Sequence, residues 1–351
     1  MQTTDMQPPP RWGDRRRPTM RDVAVRAGVS LKTVSRVVNA EPGVSATLIA
    51  RVRSAIDELG FRPNAGASNL RRADGKTATV GLLLQDVGNP FSSALQRAVE
   101  DVAVPRGVMV FSASLDEDPT REREFALALT TRRADGLIIA PTGADMNYLA
   151  AELRAGTAVV CVDRVAVNLP VDSVVTTNAS GSAEGVRHLI SAGHRRIAFL
   201  GDRQELYTAT ERYRGYSEAL TSAGLPVDPA LVVHDLHDAG MADGAVSTLL
   251  TRPRPPTALF TAQNLVTVGA IRALRRLTLA GRVALVGFDD FLLADLLQPG
   301  ITVVAQDPSA IGRTAASVLF NRLAGEQAPT AVHVVPTTLI RRGSGEIPPS
   351  G

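Results

Sequence analysis

Apolar positions recur along this chain with two different periods, and the change falls near residue 77. Between Thr19 and Leu59 they keep helical spacing: Val23, Ala24 and Ala27, then Val34, Val37 and Val38, then Ile49, Val52, Ile56 and Leu59. From Thr77 onward short β runs alternate with amphipathic helices. Strands are expected over 78–85, 108–112, 136–140, 159–162 and 196–200, and helices over 92–104, 121–131 and 181–191. Such βα alternation predicts parallel sheets covered by helices on both faces.

The first region carries the sharper signal. Thr19 with Asp22 three residues on reads as a helix N-cap with an acidic first turn. Gly28 stops that helix, Val29 packs into the corner, and Ser30 caps a second helix whose Val34, Val37 and Val38 face inward. Leu31, Lys32, Thr33, Ser35 and Arg36 are left on its outer face. A helix-turn-helix lays the start of such a helix in the DNA major groove, where short polar and forked cationic side chains reach base edges. An ordinary helical hairpin satisfies the same local pattern. Ser45 caps a third helix over 46–59, ended by Gly60.

Charge separates the two readings. The net charge of +3 hides a split: residues 1–76 hold 14 Arg/Lys against 7 Asp/Glu, and the remainder 24 against 28. Positive charge confined to the helical segment is the footprint of a phosphate-backbone reader, whereas a generally basic surface would show no such split. No apolar run has membrane-spanning length and no signal-peptide pattern opens the chain, so a cytoplasmic protein is expected. The single cysteine, Cys161, lies in an apolar strand run and excludes an internal disulfide. The five histidines are scattered without metal-ligand spacing, and neither a nucleophile elbow nor a phosphate loop occurs. The expectation is no catalytic residue, no metal and no cofactor.

The segments Asp22-Val23-Ala24, Ala27-Gly28-Val29-Ser30, Thr33 to Asn39, Val44-Ser45 and Leu59 to Asn64 resemble the signature of the LacI/GalR family of bacterial transcription regulators. Further matches run to Arg341-Arg342-Gly343-Ser344. The resemblance implies an N-terminal all-α helix-turn-helix headpiece of lambda-repressor-like type. To this is joined an α/β sensor like the type I periplasmic binding proteins, with two parallel-sheet subdomains. It divides the chain into a tail (1–18), the DNA-binding domain (19–63), a hinge helix and linker (64–76), an effector-binding and dimerisation domain (77–345) and a second tail (346–351). Within the sensor, the N-subdomain is expected over about 77–175 and 307–335, and the C-subdomain over about 176–306 and 336–345.

The resemblance also assigns residues. Leu31, Lys32 and Arg36 are expected at or near bases, with Thr33 and Ser35 beside them; Thr19, Ser30 and Asn39 hold phosphates or cap helices. Asn64 and Leu70 mark the hinge, Leu70 as a minor-groove wedge. The effector cleft is expected to use Phe91, Ser92, Asp163, Arg212, Gln263, Asp289 and Gln306. Acids that accept from hydroxyls, with an arginine fork that donates, suit a sugar or polyol. Two departures stand out: Ser92 where the family often has a second aromatic, and Gln263-Asn264 where it commonly reads Asn-Asp. The implied protein is a regulator, as a repressor, binding a pseudo-palindromic double-stranded operator as a homodimer under control of a small carbohydrate effector. A purine-responsive co-repressor and a sugar-binding transport component are the alternatives.

Overall fold

The computed structural model describes residues 18–39, 41–62 and 76–349. The chain forms two compact units, divided at Thr77.

The first unit is three helices: α1 (Met20–Ala27), α2 (Leu31–Val38) and α3 (Ala46–Leu59). Local chemistry sets each end. Thr19 Oγ1 accepts from the Asp22 amide while the Asp22 carboxylate accepts from the Thr19 amide, a reciprocal capping box. Gly28 ends α1 at φ 62°, and its amide returns to the carbonyls of Ala24 and Val25. Arg51 on α3 donates from Nη2 to the Ala27 carbonyl at 2.7 Å, sealing the same helix end from across the core. Val23, Ala24, Ala27, Val34, Val52, Ala55 and Phe61 close the core. Ile49, expected among them, is only half-buried, and Ala55 takes an inward position.

The second unit holds two six-stranded sheets. Its elements in order are β1 (Thr79–Leu84), α4 (Pro90–Ala103), β2 (Met109–Ser114), α5 (Pro119–Thr131), β3 (Gly136–Ile139), α6 (Ala150–Arg154), β4 (Ala158–Val162), β5 (Asp172–Thr176) and α7 (Asn178–Ser191). There follow β6 (Ile197–Leu200), α8 (Tyr207–Ser222), β7 (Val232–Val233), α9 (Ala239–Leu250), β8 (Ala258–Thr261), α10 (Asn264–Arg276), β9 (Ala284–Phe288), β10 (Thr302–Ala305), α11 (Pro308–Leu323), β11 (Val332–Val335) and β12 (Thr338–Ile340). Helices α4 and α5 begin two residues before the apolar pattern suggests. Asn89 and Asp118 cap them, and Pro90 and Pro119 occupy their first positions, where a missing N–H costs nothing.

Strand order is β11-β5-β4-β3-β1-β2 in one sheet, all parallel, and β12-β10-β9-β8-β6-β7 in the other, parallel except for β12. The chain passes between sheets after Thr176, after Ala305 and after Val335. Side chains along a strand alternate between faces. In β1, Leu82 and Leu84 meet α4 and α11, while Leu83 joins Leu137 and Ile139 on the opposite face. Ala198 and Leu200 of β6 likewise face away from Phe199.

Helices in each half cross at a glycine because the backbones nearly touch. A Cβ at Gly215 would strike the Ala179 carbonyl where α8 crosses α7, and one at Gly312 would lie 2.5 Å from the Leu95 carbonyl oxygen.

Residues 346–349, the described part of the expected tail, are tied to the second unit. The buried His194 ring bridges Thr257 Oγ1 (2.9 Å) and the Ile347 carbonyl (2.8 Å), and the Glu346 carboxylate accepts from Thr302 Oγ1. Burial holds the His194 pKa below its ordinary value, so the neutral ring donates from Nε2 to Ile347 and accepts at Nδ1.

Candidate functional site

Each unit presents a constellation of its own. On the first, Ser30 caps α2 by accepting from the Thr33 amide at 3.1 Å, and its hydroxyl meets that of Thr33 at 2.9 Å. Val34 is wholly buried and Val37 and Val38 pack against the same core, which leaves Leu31 and Lys32 exposed and Thr33, Ser35 and Arg36 half-buried. An exposed leucine beside an exposed lysine at a helix start suits a groove with methyl and phosphate partners. Arg36 has Glu41 at 3.8 Å, a loose surface pair that a phosphate or a guanine edge could replace. Asn39 caps the C-terminus of α2, and Thr19 and Ser30 both serve as N-caps. Asn64 and Leu70, expected in the hinge, lie outside the described residues, as does the tail over 1–17.

In the second unit the carboxyl ends of the strands converge on one polar cavity, where ligands of open α/β sheets bind. It is lined by Gln85, Asn89, Phe91, Glu117, Asp163, Arg164, Asp202, Thr208, Arg212, Gln263, Asn264, Asp289 and Gln306. Six of the seven residues expected there are brought together: Phe91, Asp163, Arg212, Gln263, Asp289 and Gln306. Ser92 is not. Neighbouring residues on a helix point about 100° apart, so when Phe91 faces the cavity Ser92 turns into the protein, 4% exposed.

Asp163 and Asp289 are presented by the same device in the two halves. Each follows the last residue of a buried strand, at φ 66° and 71° respectively. Each then donates its amide at 2.9 Å to the neighbouring strand, to the carbonyls of Val174 and Val304. This left-handed turn is unfavourable for most residues but tolerated by aspartate, and it aims the carboxylate off the strand end into the cleft. Sparse backbone conformations of this kind concentrate at binding sites.

Arg212 is held from three sides. Nε donates to Asn178 Oδ1 at 2.8 Å, and Nη1 to the Ala262 carbonyl at 2.7 Å and to Asp289 at 3.4 Å. The guanidinium lies 3.9 Å over the Phe288 ring. Its Nη2 group has no protein acceptor among the described residues. Arg164 gives both terminal nitrogens to Glu117 and one also to the Pro141 carbonyl, leaving a buried Nε with no hydrogen-bond partner. Gln306 donates to Asp289 at 2.7 Å, and its buried Oε1 likewise has no partner. Gln263 spans Asp202 and the Leu236 carbonyl.

Four carboxylates (Glu117, Asp163, Asp202, Asp289) therefore face two guanidinium groups (Arg164, Arg212). Burial, partly offset by Arg164 and Arg212, pushes the Asp163 carboxyl above its ordinary range, and burial does the same for Asp202. For an acid whose folded pKa is raised, the ionised form costs stability at neutral pH, and the cost vanishes as pH falls through that pKa. Asp163→Asn is accordingly expected to melt higher than the parent at pH 7, with the gap closing as pH is lowered. The same change should weaken effector binding roughly 10- to 100-fold, the worth of a charged hydrogen bond. Thermal melts over a pH series and a ligand titration measure both; a lower melting point at pH 7 would contradict the argument.

Beside the polar cavity lies a second cavity of about 300 Å³, walled by Pro90, Phe291, Leu292 and Pro308 and sharing Phe91, Asp289 and Gln306 with it. Glu117, Arg164, Asp202, Thr208, Gln85, Asn89 and Asn264 were not anticipated as lining. One signal was available: Asp202 stands two residues past the end of β6, close to the place that Asp163 takes after β4. No group of three or more His, Cys, Asp or Glu suited to a metal occurs among the described residues.

Comparison with known proteins covers nearly the whole chain. Residues 19–64 match the family described as "Bacterial regulatory proteins, lacI family", and residues 186–345 match "Periplasmic binding protein-like domain". The chain is 32% identical to the HTH-type transcriptional regulator GalR of Salmonella typhimurium over 94% of its length and 96% of that protein. Among solved structures it is similar to a transcriptional regulator CelR–cellobiose complex, with a TM-score of 0.68, 31% identity and coverage of 93% and 100% of the two chains. It is also similar to the lac repressor dimer bound to operator and the anti-inducer ONPF, with a TM-score of 0.78, 26% identity and coverage of 94% and 99%.

Proposed function

Because the chain belongs to the LacI family of bacterial regulatory proteins, we propose that it is a sequence-specific transcriptional repressor whose grip on its operator is set by a small polyhydroxylated effector. One short recognition helix reads too few base pairs for genomic specificity, so two copies act together on a pseudo-palindromic site. The edge strand β2, with Met109 and Phe111 more than half exposed, offers apolar surface for a second copy. Leu31, Lys32 and Arg36 contact bases or their near surroundings, and Thr33 and Ser35 support them. The relatives are regulators rather than enzymes, and the reading includes no catalytic step, metal or cofactor. No helix among the described residues is long and apolar enough to cross a membrane. In this reading the protein acts on DNA in the cytoplasm.

One observation carries the effector class: the cavity offers unmatched acceptors and unmatched donors side by side. Gln306 Oε1 has no donor, and Arg164 Nε and Arg212 Nη2 have no hydrogen-bond acceptor among the described residues, while Asp163 stands 3.6 Å from Arg164 Nε, a loose ion pair that a ligand hydroxyl can enter. A hydroxyl supplies both at one atom, and vicinal hydroxyls repeat the pattern along a ring. The excess of carboxylates disfavours anionic sugars, such as phosphates or uronates. The cavity volume is about 60 Å³, room for about 4–6 waters at ~10–15 Å³ each, which suits a single ring. The apolar chamber next to it has room for an alkyl, aryl or sugar substituent, and cellobiose in the CelR structure has a second ring of that kind. A purine would need stacking walls, yet Phe91 is the single aromatic lining the polar cavity among the described residues. A transport component would have no use for the cationic helix-turn-helix.

The test is a gel shift with a selected duplex and a scrambled competitor across a salt series. A reader making six to ten phosphate contacts loses about 10³–10⁵ in affinity between 50 and 200 mM salt. The selected duplex should be preferred throughout, and a melting-temperature screen should pick out neutral sugars over sugar phosphates and nucleobases. Equal binding to both duplexes defeats the regulatory reading.

A further inference from the structure

The departure at Asn264 has a geometric consequence of its own. Asn89 caps α4, its Oδ1 accepting from the Phe91 amide at 3.1 Å. Asn264 opens α10, its Oδ1 accepting from the Leu265 amide at 2.7 Å. Each carboxamide is thereby fixed in orientation, since turning it over would set an NH₂ against a backbone N–H. The two then meet across the cleft. Asn264 Nδ2 donates to Asn89 Oδ1 at 2.9 Å, and Asn89 Nδ2 returns a longer bond of 3.4 Å to Asn264 Oδ1. The partners are 175 residues apart and belong to different sheets' layers. The pair joins the two halves away from the crossovers after Thr176, Ala305 and Val335. The N-termini of α4 and α10, both positive ends of their helix dipoles, converge there, and two amide oxygens lie between them.

We propose that Asn89 and Asn264 form an amide clasp that sets the closing equilibrium of the sensor cleft. They are positioning residues, acting on the site through closure. An aspartate at 264, the commoner residue in the family this chain resembles, keeps the bond from the Leu265 amide but has no N–H to give, so the 2.9 Å bond is a property of this chain. The alternative is that each asparagine only caps its own helix, in which case neither senses the loss of the other. The importance of the clasp for regulation rests on the cleft being the effector site; its existence does not.

The experiment uses the full-length protein without DNA or ligand. Two variants are each read on the opposite side of the cleft, where the local cap remains intact. In Asn264→Ala the readout is hydrogen exchange at the Phe91 amide, whose acceptor Asn89 is unchanged. In Asn89→Ser, which retains a capping oxygen too short to cross, it is exchange at the Leu265 amide. Each should accelerate at least tenfold, the radius of gyration from small-angle scattering should increase, and the double variant should open no further than either single one. Unchanged exchange on the far side with an unchanged radius would overturn the clasp, as would strictly additive effects in the double variant. Because neither readout uses operator or effector, such a failure leaves the regulatory reading standing.

Discussion

Arg212→Ala is expected to abolish the response to effector and to lower the stability of the α/β unit. The guanidinium is 6% exposed and carries hydrogen bonds to Asn178 and Ala262 as well as the contact with Asp289. Removing it leaves a buried amide oxygen and a buried carbonyl without that donor, and a carboxylate only 12% exposed with no cation beside it and Gln306 still donating to it. Losing one member of a buried pair costs about 3–5 kcal/mol, which for a unit of this size lowers the melting point by roughly 6–20 °C. The Phe288 ring also loses the cation stacked on it. Binding suffers separately, because Nη2 is the donor left over for a ligand oxygen. Arg212→Lys distinguishes the two effects: it keeps the charge but cannot reproduce a planar fork spanning Asn178 and Ala262, so affinity should remain at least 100-fold down. Calorimetric melts with and without the sugar that shifts the parent protein measure both. An alanine variant that melts with the parent and shifts with the same ligand would refute the assignment.

Much of this arrangement is legible in the sequence because it is locally encoded. The turn at Gly28 needs a left-handed residue, the caps at Thr19, Ser30 and Ser45 act on amides three positions on, and the buried face of α2 is a simple i, i+3, i+4 pattern. Asp163 and Asp289 are visible for a similar reason: an acid that closes an apolar strand run stands at the strand's carboxyl end, where the cleft must be. What escapes notice depends on distant partners. Arg164 acquires its role from Glu117, 47 residues away, and Asn89 from Asn264, 175 residues away. Nothing in the neighbourhood of either residue announces the other. Ser92 fails in the opposite sense, being adjacent in sequence to a pocket residue but turned away by the pitch of α4. Residues 346–351 are set apart as a tail because the resemblance ends at 345, yet a single buried imidazole and one carboxylate hold the described part of it.

Val34→Asp should eliminate operator recognition while sparing the α/β unit. Val34 is wholly buried on α2, against a core of only seven buried side chains. At about 0.05–0.15 kcal/mol per residue, a unit of this length has only a few kcal/mol of stability. Burying an unpaired carboxylate costs several kcal/mol, or the helix must turn out to hydrate it. Either way Leu31, Lys32 and Arg36 lose their common presentation, and what remains is salt-sensitive attraction between a basic chain and phosphate. Preference for the selected duplex over scrambled DNA should fall at least 1000-fold, within the roughly 10³–10⁷ range by which specific binding exceeds non-specific binding. Arg36→Ala is the informative companion. It leaves the core intact and should cost about 1–3 kcal/mol if the side chain reads a base. Its helical circular dichroism should match the parent, whereas that of Val34→Asp should not. The effector-induced melting shift should be the same in all three proteins, because the two units have separate cores. Retention of operator preference in Val34→Asp would show that recognition does not depend on α2, and the assignment of the reading helix would fall with it.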